Sequence, residues 1–190
     1  LFRASPVTFT DMTDPQTLKT YVNTSLLSRK GLAPLARTAL FTETDVLTLF
    51  VEPAESFYVA MRSGVPGNPL AQKISGFLLG APSPQKTEGV SGINGIGYLS
   101  GDESIFKKTA FGMADSILRT NTIRAELQER RNMLNETVSK VINRSAELLL
   151  KAKSAALSYT DAVLVARESA AYSLIAHPIL LDNINGAVLS

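Results

Sequence analysis

Gly92, Gly95, Gly97 and Gly101 are the residues of this chain best placed to meet a phosphate, because backbone amides freed of side chains can cradle an anion. A dinucleotide fingerprint requires Gly-X-Gly-X-X-Gly directly after a strand. From Gly95 the spacing is Gly-X-Gly-X-X-X-Gly, with no clear strand before it and no P-loop lysine. A plain connector is therefore expected, with anion binding at the next helix start as the functional alternative. Ser104-Ile105-Phe106-Lys107 has the Ser-X-X-Lys spacing of acyl enzymes whose lysine sits one helical turn from the nucleophile, but lacks their Ser-Asp-Asn and Lys-Thr-Gly companions. Glu52 and Glu55 flank Pro53 as a carboxylate pair would, and read as a solvated turn.

The single histidine, His177, directly precedes Pro178. At a helix end it would serve the terminal carbonyls, and with no cysteine in the chain a metal or triad role has no partners. No catalytic residue, cofactor or metal ligand is assigned. Arg119, Arg124, Arg130 and Arg131 form the strongest basic cluster, a candidate contact for nucleic-acid phosphates. Glu126 and Glu129 interleave with it, so a solvated or subunit-contacting face is the expected reading. Asn23, Asn135 and Asn143 begin sequons that are treated as chance.

These residues sit on two unlike halves. Eleven of twelve glycines and eight of nine prolines fall in residues 1–112, with nearly all the aromatics, whereas residues 113–177 contain neither glycine nor proline. Asp14-Pro15 predicts a helix start, followed at helical spacing by Leu18, Tyr21, Val22, Ser25 and Leu26. Pro34 predicts a second short helix through Phe41. Residues 45–51 read as a strand; 57–61 and 74–79 are apolar runs that periodicity leaves between strand and buried helix. Residues 63–69 are a turn and 81–101 a long loop. Asp102 is a candidate cap for a helix through Thr109 that Gly112 would kink or break, and Asn121 a further start.

From Leu127 an apolar seam runs through Leu134, Val138, Val141, Leu148, Ala152, Ala155, Tyr159, Ala162 and Ala166, interrupted by Arg131 and Ser145. A second row, Ile142, Leu149, Ala156, Val163 and Ala170, widens it beyond a two-stranded coiled-coil stripe. The opposite face is polar, with Glu136–Lys140 and Glu147–Lys151 spaced as helix ion pairs. An unbroken rod would be on the order of 95–100 Å long; the alternative is a hairpin folding near Ser158–Asp161, and Pro178 ends either. Alanine, glutamate and lysine at such spacing are similar to stalk-type subunits of rotary ATPases and to many unrelated helices, and no family assignment follows.

The expected fold is mainly α. A long helix or helical hairpin over 113–177 follows an irregular, Gly/Pro-rich half containing short helices and a few short strands. The expected organisation is a head over 1–101, a helical region over 102–178 and a tail over 179–190, as one folded unit. A formal charge of +2 is too small to argue for nucleic acid by itself, and no run approaches a transmembrane span. No signal peptide is visible, and location is left open. The expected function is a non-enzymatic assembly subunit of a larger particle, self-associating or joining other proteins through Leu127, Leu134, Val138, Val141, Leu148 and Leu149. A nucleic-acid module using the four arginines is the alternative, and a Ser104/Lys107 enzyme the third.

Overall fold

A computed structural model describes residues 4–21, 23–36, 38–64, 68, 72–84, 93–101 and 105–188, with side chains described to residue 182. It corrects the mainly-α expectation. The chain is mixed α/β, 39% helical and 27% strand, with two sheets under three helices. Among the described residues no helix precedes Thr109.

The first sheet is ordered β3 (Ala39–Glu43), β4 (Val46–Val51), β1 (Ser5–Phe9), β8 (Ile105–Phe106). β4 runs antiparallel to both β3 and β1, and β8 is parallel to β1. Its strands alternate: Val7, Phe9, Leu47, Leu49 and Val51 are buried on one face, as a half-covered sheet requires. The second sheet is β2 (Asn23–Ser28), β5 (Ser56–Ser63), β6 (Lys73–Leu78), with β7 (Tyr98–Leu99) paired to the start of β5. Phe57, Tyr58, Val59, Ala60 and Met61 are all buried, so the middle of β5 is covered on both faces. That is why 57–61 reads as an unbroken apolar run rather than an alternation.

One core joins both sheets to the helices. It contains Val7, Phe9, Leu49, Phe57, Val59, Met61 and Leu78 from the strands, and Met113, Ile117, Leu149 and Leu174 from the helices. Gly76 of β6 faces Met113 of α1 with no room for a side chain. A Cβ there would lie 2.8 Å from Tyr21 Oη and 3.0 Å from Met113 Sδ.

The helices are α1 (Thr109–Glu129), α2 (Glu136–Ala152) and α3 (Tyr159–Val188). The 113–177 rod is thus broken twice. At 30 residues, α3 is the longest helix, about 45 Å at 1.5 Å per residue. The first break uses asparagine for both jobs that glycine and serine usually do. Asn132 takes a left-handed φ of 55°, while Met133 N–H returns to Gln128 O and Asn132 N–H to Glu129 O, a Schellman ending. Asn135 then caps α2 by accepting Thr137 N–H at 2.7 Å. The second break closes at Ser158, whose Oγ accepts Asp161 N–H and donates to its carboxylate.

Other expected boundaries move for local reasons. Asp14 does accept the amides of Gln16 and Thr17, but Leu18 turns left-handed (φ 58°) and the chain leaves as β2 instead of a helix. The helix expected from Pro34 through Phe41 is a loop followed by β3, which hairpins onto β4 across Thr44-Asp45. Ile105 and Phe106 form β8, so α1 begins at Thr109 behind Lys108, which has a left-handed φ of 62°. Gly112 and Asn121 lie inside α1 without breaking it. Pro178 lies inside α3, on an exposed position between buried Ala176 and Leu180. It removes one intrahelical donor, and the packed side chains around it carry the helix on. Val22, Asp102 and most of the 63–69 turn lie outside the described residues.

Ile117, fully buried on α1 and part of the shared core, tests this packing. Ile117→Ala should cost about 2–5 kcal/mol, measured by denaturant unfolding.

Candidate functional site

α1 packs between the second sheet and α3, and it buries polar side chains as well as apolar ones: Ser116, Thr120, Asn121, Arg124 and Gln128 are each at most 7% exposed. Each must therefore find a partner inside the protein. Ser116 and Thr120 bond back to carbonyls one turn earlier, at Gly112 and Ser116. Asn121 Nδ2 donates to Ser173 O of α3 at 2.6 Å, and Gln128 Nε2 to Leu180 O at 2.9 Å. With its amide nitrogen on that carbonyl, Asn121 turns Oδ1 to His177 Nδ1, 2.8 Å away. An amide oxygen only accepts, so Nδ1 carries the imidazole proton and Nε2 is left as the acceptor. Arg124 Nη1 lies 3.4 Å from both ring nitrogens, and Phe77 from β6 stacks obliquely on the ring with centroids 5.4 Å apart.

Three serines continue this polar seam between α2 and α3. Ser145 Oγ is 3.0 Å from Ser169 Oγ and 2.7 Å from Ser173 Oγ, and Ser169 Oγ donates to Ser145 O. Serine, asparagine and histidine together suggest a nucleophile, an orienter and a base. The order is wrong for that chemistry: Asn121 stands between α3's backbone and His177, and no described hydroxyl bonds to the imidazole. A base must reach the proton it removes. The set fastens helices, and above His177 and Arg124 it borders an apolar cavity of about 230 Å³ against the second sheet.

The four arginines do not share one surface. Arg119 Nε pairs with Asp115 at 2.8 Å, Nη2 donates to Gly80 O at 2.7 Å and Nη1 to Asn94 O. It staples the backbone at Gly80 and at Asn94 to α1. Arg124 is 7% exposed inside the seam, and only Arg130 and Arg131, at the exposed end of α1, face solvent. The apolar row is used within one chain. Val138, Leu148 and Leu149 are buried, and half-buried Leu134 and Val141 pack with Ile142, Ala176 and Leu180. Leu127 is half-buried. Ser145, which broke the seam on paper, is a buried hydrogen-bonding contact of it.

The glycine loop is occupied by its own backbone. Gly97 N–H donates to Leu79 O at 2.9 Å, and Ile96 N–H to Ala81 O at 2.9 Å. Gly80 and Gly97 hold φ of 69° and 76°, and a Cβ on Gly80 would collide with Gly97 O. Glycine is needed here so that two backbones can touch, and the amide of Gly97 is already bonded. Glu52 and Glu55 are half-exposed, as a turn predicts. Lys107 is exposed; Gly92 and Ser104 lie outside the described residues. Among the described residues no cluster of metal-ligating side chains is found and no helix is long and apolar enough to cross a membrane.

Sequence reasoning missed one surface altogether. All five residues of β3 are exposed, with Leu40 at 45% and Phe41 at 60%. Among the described residues β3 pairs with β4 alone, and its other edge meets no described strand. Residues directly opposite in the ladder share a face. Phe41 opposes Thr48, Ala39 and Pro6 both oppose Phe50, and Ile105 opposes Thr8. Phe41, Phe50 and Ile105 therefore stand on the outer face of this sheet.

Burial above all, and then the charge of Arg124, lowers the His177 pKa from 6.5 to about 4. A base whose pKa is lower in the folded state binds fewer protons there. Its stabilising contribution is complete above about pH 6.5 and is lost as pH falls towards 4. The loss should approach about 3 kcal/mol. His177→Gln, which keeps a donor for Asn121 and cannot titrate, should flatten the pH 4–6.5 limb in urea titrations. Asp14 acts in a separate window. Burial alone would raise its pKa, but hydrogen bonds from Ser63, Thr17, Gln16 and Ser75 outweigh it and hold it below 3.8, so its contribution is lost only below that pH.

Searches against protein-family models, curated proteins and solved structures give no match to this chain, so the functional reading rests on its own geometry.

Proposed function

We propose that this protein is a non-enzymatic assembly subunit that joins a second copy of itself through β3. The observation that supports this is the exposure of every residue of β3 on a sheet edge that no described strand covers. Natural edge strands are blunted by lysine, proline, bulges or a covering element. Ala39-Leu40-Phe41-Thr42-Glu43 has one charge at its end, no proline, and two large apolar side chains facing water.

The strand is compatible with pairing to itself. In an antiparallel two-fold pair centred on Phe41, the two Phe41 rings become cross-strand neighbours and each Glu43 opposes an Ala39. No like charges meet, and aromatic cross-strand pairs are favourable by about 0.2–1 kcal/mol. A two-fold interface uses the same patch on both subunits. Five residues of ladder alone make a small contact, and stable interfaces bury roughly 1,200–2,000 Å². The adjoining outer face, with Phe50 and Ile105 exposed, supplies further apolar area. This reading moves the assembly surface from the helical seam, which is packed inside the chain, to the sheet edge.

Light scattering across a wide concentration range should give twice the 20.4 kDa chain mass. Phe41→Lys, at a position 60% exposed, should return the monomer mass with unchanged helicity. A wild-type monomer at every concentration, or a dimer that Phe41→Lys leaves intact, sinks the β3 pairing.

A further inference from the structure

Pro178 supplies no backbone N–H, so α3 has one hydrogen bond fewer in the turn that closes on Leu174. Upstream of that turn the helix is fixed to both neighbours. Asn121 of α1 donates to Ser173 O at 2.6 Å, and Ser145 Oγ of α2 lies 2.7 Å from Ser173 Oγ. Downstream, Gln128 Nε2 donates to Leu180 O, and the Leu180 side chain packs among Ala125, Val138 and Ile142. His177 stands between these attachments. Its Nδ1 donates to Asn121 Oδ1, the Phe77 ring lies obliquely against it, and Arg124 Nη1 is 3.4 Å from each ring nitrogen. A further proton would sit on Nε2. The group described beside Nε2 is the guanidinium, which only donates, whatever else it bonds. The other charges give no relief. Lys73 of β6 lines a hollow together with His177, Asp182 is exposed further along α3, and no described carboxylate lines either hollow at the ring.

We propose that His177 and Pro178 form an acid-operated latch: protonation of Nε2 releases α3 from α1 from His177 onward, while residues 159–173 stay packed. Donor then faces donor and cation faces cation at the ring, in a site that holds no water-exposed escape for the charge short of opening. The missing hydrogen bond at Pro178 places the hinge next to the trigger. Release uncovers Leu180 and the apolar bed of Ala125, Val138 and Ile142, which are hidden when the latch is closed. The closed state holds the ring pKa at about 4, against 6.5 for a solvated ring. The open state therefore binds the extra proton, and opening gains as pH falls through that window. The latch is independent of β3 pairing, because β3 belongs to the first sheet and the imidazole packs on the second.

The test is hydrogen–deuterium exchange of the whole chain at pH 7.5 and pH 4.5, read as protection factors corrected for the intrinsic rate. Amides 179–182 should lose protection roughly fiftyfold at the lower pH, and amides 162–170 should keep theirs. His177→Gln, which keeps a donor for Asn121 and takes no proton, should abolish the loss. Because that substitution can itself loosen the packing, a second readout uses the unaltered protein. The ring titration of His177, followed by NMR, should have the same midpoint as the loss of protection at 179–182. Unchanged protection at 179–182 overturns the latch, and so does a loss that His177→Gln leaves in place. A loss shared equally by 162–170 overturns it as well, because that is acid unfolding of the whole helix. Midpoints separated by more than about one pH unit remove His177 as the trigger.

Discussion

Asn121 has to satisfy both halves of its amide inside the protein, and in doing so it fixes where α3 lies against α1. Its nitrogen takes the Ser173 carbonyl and its oxygen the His177 ring. Within two turns of helix around that contact, other parts of the fold are set. Arg119 holds the backbone at Gly80 and Asn94; Gln128 holds Leu180 of α3; Arg124 lies against the imidazole that Asn121 has oriented. Buried polar networks of this kind are costly when partly satisfied and specific when complete. A slide of α3 by one residue would strip Asn121 and Gln128 of their carbonyls together, so the helices have one register.

The same network explains why the helical half was only partly legible. Its apolar rows were visible, and Val138, Leu148 and Leu149 are indeed buried. Their burial takes place inside one chain because the rod is cut at Asn132–Asn135 and again before Ser158, which lets α2 fold back on α3. The absence of glycine and proline over 113–177 argued for continuity, yet asparagine can hold a left-handed φ and can also cap. Asn132 does the first and Asn135 the second. α1 hid its orientation for a related reason. Its buried side includes asparagine, arginine and glutamine, so hydrophobic periodicity carries little of its signal.

The strand half failed as a reading at β2 and β3 and was sound at β4. Residues 46–51 alternate and carry β-branched and aromatic side chains, so their local preference agrees with their pairing. Asn23–Ser28 has no such preference; it becomes a strand because β5, buried on both faces, needs a partner on that edge. Asp14 met the local rule for a helix cap and stopped at a turn, since the amides it accepts are followed by a left-handed Leu18. A cap signal specifies the first turn of backbone and says nothing about whether a second turn has anything to pack against. Glycine carried the opposite ambiguity: Gly97, expected in a plain connector with anion binding as the alternative, meets Gly80 in a backbone contact within the fold, a demand indistinguishable in sequence from approach to a phosphate.

α3 and β3 both present apolar side chains to water, and the two surfaces are not equivalent. α3 exposes Leu164, Ile175 and Ile179 at 52%, 50% and 41%, at a spacing that places them on one side of the helix. Glu168, Pro178 and Asp182 are exposed on that same side, so the stripe is interrupted by charge, and apart from the donor that Pro178 lacks its backbone groups are used within the helix. Scattered apolar side chains of this sort are ordinary on a protein surface. β3 combines two apolar side chains with a row of backbone donors and acceptors that no described strand pairs. A ladder with another strand would satisfy those groups as well as water does while removing Leu40 and Phe41 from it, so pairing adds apolar burial without leaving polar groups unmet. The helix stripe can add area to a contact but cannot set its register; the strand edge does both, which is why the assembly surface is placed there.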